Sequence, residues 1–179
     1  MEAALGGRAA GGTAAVLRET TPFGAASEAL LARIAAIARP ASYASGARIY
    51  SADEAADDIF VVVSGRAEHV FKPEVGAREP LKRVERGGLF GWAGLLLGQT
   101  RRLATVNAAG PTEVLRIDTE ALVKLLESEP LEGPLVMDRF AAMIQRDFAV
   151  PQLLAGSEGT LALVVAGMTL TRPRLRALE

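Results

Sequence analysis

The chain has 179 residues, 50% of them hydrophobic and 23% charged, with 20 Lys and Arg against 21 Asp and Glu for a net charge of −1. That balance excludes wholesale disorder and offers no strong electrostatic pull on nucleic acid. With no Cys and a single His, disulfide frameworks, thiolate metal sites and multi-His metal sites are excluded, and a Ser-His-Asp triad would depend wholly on His69.

Residues 1–20 are rich in Ala and Gly and read as a flexible leader. No compact apolar core follows a basic start there, so a signal peptide is not expected. Ser27 is placed to cap a helix carrying Leu30, Leu31, Ile34 and Ile37, which Pro40 stops. A short extended piece follows around Tyr43, then a turn at Ser45-Gly46.

From Arg48 the period changes from 3.6 to 2. Strands are expected at 49–50, 59–63, 66–71, 81–84, 104–108 and 113–117. An acidic loop, SADEAADD, fills 51–58, and Pro73 and Gly76 mark a hairpin tip. The loop lacks the Gly and final Glu spacing of a calcium-binding EF-hand, so a solvated loop is expected. Ile59, Val61, Val63, Leu81, Val84, Val106, Val114 and Ile117 form the expected buried set. His69 lies in an alternating strand and reads as a surface residue.

Asp118 or Thr119 caps a helix carrying Leu122, Leu125 and Leu126. Pro130 ends it, and Gly133-Pro134 opens another over 134–149 with Leu135, Met137, Phe140, Ile144 and Phe148 at helical spacing. The fold expected is mainly β: an eight-stranded jelly roll or β-roll flanked by N- and C-terminal helices. The longest apolar run, Leu161 to Leu170, is about half the roughly 20 residues a membrane span requires, so no membrane partner is expected.

Chemistry concentrates in Gly87–Val106, GGLFGWAGLLLGQTRRLATV. Gly91 permits a tight turn or close backbone approach. Trp92 to Leu97 reads as a short helix whose first N–H groups are unpaired and could face an anion. Arg101 and Arg102 return cations to the same neighbourhood, and guanidinium offers two parallel donors to two oxygens. Two readings stay open on these residues alone: a phosphate site, or a packed short helix beside solvated arginines.

The segment resembles the phosphate-binding cassette of cyclic nucleotide-binding domains, as in catabolite-activator-type regulators. Phe90-Gly91 is similar to the cassette's start and Arg102-Leu103-Ala104-Thr105-Val106 to its end. Gly46, Ile49, Ala56-Asp57, Phe60 to Val63 and Ser64-Gly65 resemble the family's upstream pattern. Glu113 to Asp118 and the Leu122–Leu126 helix resemble its last strand and following helix. The resemblance covers about 22–150 and implies three parts: the leader 1–20, a cyclic nucleotide-binding-like domain over 21–150, and a tail over 151–179.

It also implies ligand contacts at Phe90, Gly91, Trp92, Ala93, Gly94, Arg102 and Leu103, with Arg102 inward and Arg101 solvated. Trp92 departs from the pattern. The family holds Glu there, whose carboxylate accepts the ribose 2′-hydroxyl, and indole accepts nothing. The unmade hydrogen bond costs about 1–3 kcal/mol, and the indole is expected to crowd the sugar subsite. Leu103 stands where the family favours Ala, Ser or Thr. The Phe-Gly-Trp version looks like a subset of stand-alone bacterial domains.

The function implied is a cytoplasmic, non-enzymatic sensor in signal transduction. It would bind a cyclic nucleotide or another small phosphate-bearing ligand and need no cofactor, metal or nucleic acid. Restoring the acceptor with Trp92→Glu is expected to strengthen cAMP or cGMP binding. One alternative is a degenerate docking or dimerisation module. A homodimer through helix 134–149 is expected in either case. The tail, Gly156-Ser157-Glu158-Gly159-Thr160-Leu161 and onward, resembles a short stretch of FAD-linked oxidases. A fragment of such an oxidoreductase is therefore a further alternative; the plainer reading is a Gly turn and one strand or helix packed on the core.

Overall fold

The change of period along the sequence becomes a change of layer in the computed structural model, which describes residues 12–71, 82–95, 100–147, 164–165 and 168–169. Helix α1 occupies 12–19. Thr20 ends it: its hydroxyl donates to the Leu17 carbonyl at 2.8 Å and accepts the Phe23 N–H at 3.3 Å. The second half of the expected leader is therefore ordered structure. Val16 and Leu17 are buried, and each supplies about 1.5–3 kcal/mol of apolar burial that the surrounding Ala and Gly obscure in the composition.

Helix α2, Glu28–Ile37, begins at the expected cap, with the Ser27 side chain accepting the Leu30 N–H. Such a cap is worth about 1 kcal/mol. Leu30, Leu31, Ile34 and Ala35 form its buried face. The chain then turns extended at once into β1, Ala38–Tyr43. Pro40 cannot donate to a ladder, and it is tolerated because β1 is an edge strand.

The strands β2 Arg48–Tyr50, β3 Asp58–Ser64, β4 Arg66–Phe71, β5 Lys82–Glu85, β6 Leu89–Phe90, β7 Ala104–Ala108 and β8 Thr112–Asp118 complete the roll. They form two four-stranded sheets, ordered β1-β8-β3-β6 and β2-β7-β4-β5. All pairings within them are antiparallel. The eight-stranded jelly roll with flanking helices is the observed fold. Helices α3, Thr119–Glu127, and α4, Gly133–Asp147, follow, with Asp118 capping α3 through the Ala121 N–H at 2.8 Å.

Alternation along β3 divides the interior in two. Phe60 and Val62 face the other sheet and pack with Tyr50, Ala67, Val84, Phe90, Val106 and Val114. Ile59 and Val61 face the helices and pack with Leu17, Phe23, Leu31, Leu122 and Phe140 among others. Six of the expected core residues are buried, Val63 is half-buried, and Leu81 lies outside the described residues.

The stripe of α4 that suggested a homodimer is already covered. Met137, Phe140, Met143 and Ile144 are buried within this chain, and Phe140 meets Phe23 edge-to-face at 5.4 Å. Leu135 remains exposed, and Phe148 lies outside the described residues. In the tail, Val164–Val165 and Met168–Thr169 (β9 and β10) pair antiparallel. The rest of 151–179, including the oxidase-like stretch, lies outside the described residues.

Candidate functional site

Strand β6 lays Phe90 opposite Phe60 of β3, and the two rings stack at 5.1 Å with a 12° interplanar angle. Tyr50 tilts against both at 5.6 and 6.1 Å. His69 stands edge-on to Phe90 at 5.9 Å and is half-buried, so it lines the roll and is not the surface residue expected. Its strand pairs it with Val106 of β7, which faces inward.

After Phe90 the chain turns at Gly91, with φ +79°, where a Cβ would stand 2.8 Å from the Phe60 ring and 3.0 Å from Arg102 Nη1. Only glycine combines that angle with that clearance. A 3-10 turn follows over Trp92–Leu95. The expected helix over 92–97 is thus a four-residue turn as far as Leu95; 96–99 lie outside the described residues. So short an element carries little macrodipole, and the helix-terminus argument for holding an anion falls away. Ala93 is buried. A Cβ on Gly94 would fall 1.9 Å from the Ala56 carbonyl oxygen, so this turn lies directly on the loop before β3.

Arg102 is the centre of the site. It is 4% exposed, and its Nη1 donates to the Asp58 carbonyl at 2.7 Å and the Gly91 carbonyl at 2.6 Å. Its guanidinium carbon lies 4.5 Å from the Tyr50 ring centroid and 5.4 Å from that of Phe60. Its Nε is buried with no hydrogen-bond partner. Burial pulls the guanidinium below its ordinary pKa, opposed by Tyr50, Asp58 and Asp57. The same burial raises the Tyr50 phenol, which Arg102 opposes.

Asp58 meets Arg102 with its backbone carbonyl, while its carboxylate is paired elsewhere. The Asp58 carboxylate pairs with Arg116 at 2.6 Å. Arg101 is exposed and donates to the Asp53 carbonyl at 2.7 Å. The acidic loop is only partly solvated, since Asp58 and Ala56 are buried. Among the described residues, no group of three His, Cys, Asp or Glu side chains is placed to hold a metal ion.

Trp92 does not face Arg102. Its indole is 9% exposed and belongs to the helix-side cluster, with Val16, Leu17 and Phe140, and not to the cluster of Tyr50, Phe60 and Phe90. The expected crowding of a sugar subsite by indole is set aside on that ground. Leu103 is half-buried. Sequence reasoning missed Tyr50 and Phe60 as partners of Arg102. The signal available was weak: both alternate inward on strands, as any core aromatic does.

A family model described as the cyclic nucleotide-binding domain matches residues 40–129. The cAMP-dependent protein kinase regulatory subunit of Mycosarcoma maydis is 35% identical over 104 residues, 55% of this chain and 19% of that protein. The chain therefore spans about a fifth of that relative's length. The N-terminal domain of a transcriptional regulator from Streptomyces coelicolor A3(2) superposes with a TM-score of 0.61 at 23% identity, covering 80% of this chain and 99% of that one. The regulatory domain of Toxoplasma gondii PKA, solved with cAMP, gives 0.61 at 19% identity, covering 75% and 51%. At those identities the two structures speak for the fold.

Proposed function

The chain belongs to the cyclic nucleotide-binding domain family, and from that premise we propose that it is a non-enzymatic sensor that takes a cyclic nucleotide or a similar small phosphate ester into the roll at Arg102. One observation carries this reading. A guanidinium 4% exposed keeps Nε without a partner and directs its hydrogen bonds to two carbonyl oxygens. A buried cation without an anionic partner is costly to desolvate. A phosphate offers two oxygens in the geometry that Nε and an Nη group present together, and charge-assisted pairs of that kind are about twice as strong as neutral ones. The aromatic walls of Tyr50, Phe60 and Phe90 exclude water and strengthen the pair.

Calorimetric titration tests the reading. cAMP, cGMP or inorganic phosphate should give heat with the wild-type chain. Arg102→Ala should weaken binding by about 10–100-fold or abolish it, because a hydrogen bond to a charged group is worth about 1.5–3 kcal/mol. A second reading has its own support: Nη1 already holds two carbonyls, so the site is closed on itself. Absence of heat from all three probes would leave the chain a docking module that keeps the fold without the ligand.

A further inference from the structure

The strand register lays one continuous row across the sheet that holds β3. Arg39 of β1 stands opposite Arg116 of β8, Arg116 opposite Phe60 of β3, and Phe60 opposite Phe90 of β6. All four lie on the face turned towards the other sheet. Ala41 and Tyr43 of β1 pack on the inter-sheet cluster, and Val114 of β8 belongs to it; alternation puts Arg39 and Arg116 on that same face. Two rings at one end of the row thus give way to two guanidiniums at the other. Like charges directly opposite on neighbouring strands are destabilising. Of this pair, Arg116 meets the Asp58 carboxylate at 2.6 Å, and both arginines are exposed. Asp58 also joins the row to Arg102, because its carbonyl accepts Arg102 Nη1 at 2.7 Å while its carboxylate accepts Arg116 Nη2. The two guanidiniums therefore hold opposite ends of a single residue.

We infer that the ligand carries two anionic groups, one received by Arg102 and the other by Arg116 and Arg39 at the rim of the roll. Its class is then a bisphosphorylated nucleotide or a like phosphate ester, in preference to a monophosphate. The inference rests on the reading that Arg102 receives an anion. The second anion neutralises two like charges that the fold sets side by side. A guanidinium carries five N–H donors in a planar fork, so one carboxylate does not exhaust Arg116. Asp57 and Asp118 also act on these arginines. Neither stands in the row: Asp57 is exposed in the loop before β3, and the Asp118 carboxylate accepts the Ala121 N–H at 2.8 Å. The gap between Arg102 and Arg116, one residue wide, suits phosphates set on two positions of one sugar. The two subsites differ in burial, since Arg102 is 4% exposed and the rim pair is open to solvent. Salt therefore weakens the contribution of the rim more than that of Arg102.

Calorimetric titration of the full chain compares adenosine 3′,5′-bisphosphate with 5′-AMP and 3′-AMP, at low and at physiological salt. The bisphosphate should bind about 10-fold tighter than the better monophosphate, or more, the gain expected of a further charge-assisted contact. That ratio should shrink as salt rises. Arg116→Gln should bring it to about twofold or less while the monophosphates still bind. Arg39→Gln, at an exposed position, gives a reading that does not depend on how Asp58 tolerates the loss of its partner. It should lower the ratio about threefold, the worth of an exposed charge pair, and leave monophosphate affinity unchanged. A ratio near one in wild type, or a ratio that survives both substitutions, overturns the second subsite and leaves Arg102 as the receiver of a single anion. Heat with cAMP but none with the bisphosphate does the same. No heat with any of these ligands overturns the anion reading as well.

Discussion

Arg101 and Arg102 are adjacent and identical in type, yet one is exposed and the other is 4% exposed at the centre of the roll. That division was legible, because the inward register of Ala104 and Val106 extends back to 102. What neutralises Arg102 was not legible. Its carbonyl and ring partners come from β2, β3 and the β6 turn, and alternation alone gives a tyrosine on β2 no reason to meet an arginine 52 positions later. The direction of Trp92 was likewise hidden, since it depends on the path of the chain out of Gly91. Its burial reverses one sequence-based expectation. Trp92→Glu should not strengthen cAMP binding; it should empty an indole-sized space and place a carboxylate in an apolar cluster. Removing a buried Trp costs about 3–5 kcal/mol before the carboxylate is counted. Urea denaturation checks this, and a stable Trp92→Glu chain with higher cAMP affinity would return residue 92 to the ligand pocket. Gly94→Ala should lose about 1–3 kcal/mol by overpacking against the Ala56 carbonyl, with its midpoint measured in the same way.

At the scale of elements, the strands and capped helices were legible wherever period and punctuation agreed. The caps Ser27 and Asp118 sit where a short oxygen precedes an apolar stripe. Strand β6 was not legible, because two residues between glycine-containing turns show no period. Helix α1 was missed because Val16 and Leu17 are only two apolar anchors in an Ala/Gly run. The α4 stripe was legible as apolar but its partner was not, since a core face and a dimer face look alike in sequence. Phe140→Ala should therefore appear as a loss of about 3–5 kcal/mol in stability. A lower sedimentation mass with unchanged stability would instead place Phe140 in an interface. The helical layer also carries a pH dependence. The Ser27 N–H donates to the Glu132 carboxylate at 2.7 Å, which holds that carboxyl below its ordinary pKa. A depressed carboxyl contributes stability that is fully present above its unfolded value, about 4.3, and is lost as pH falls through the lower folded value. Glu132→Gln should remove this part of the acid dependence, which thermal melts between pH 3 and 6 would detect.

For the molecule as a whole, β3 decides how many folding units there are. Its Ile59 and Val61 belong to the helix-side cluster and its Phe60 and Val62 to the cluster between the sheets. Neither cluster can lose its packing without exposing one face of the same central strand, so the described body should melt in one cooperative transition. Arg102 joins the same unit, because the Asp58 carbonyl it holds is the first residue of β3. A ligand at Arg102 therefore stabilises the whole transition and not a local part of it. At about 100 times its dissociation constant, a ligand specific for the folded state adds about 2.7 kcal/mol. For a chain of this size each 1 kcal/mol moves Tm by about 2–4 °C, so saturating cAMP should raise Tm by about 5–11 °C. Calorimetric scans with and without cAMP check both statements. A single peak that moves intact fits a shared β3, whereas two peaks of which only one moves would mean that the roll and the helical layer unfold separately.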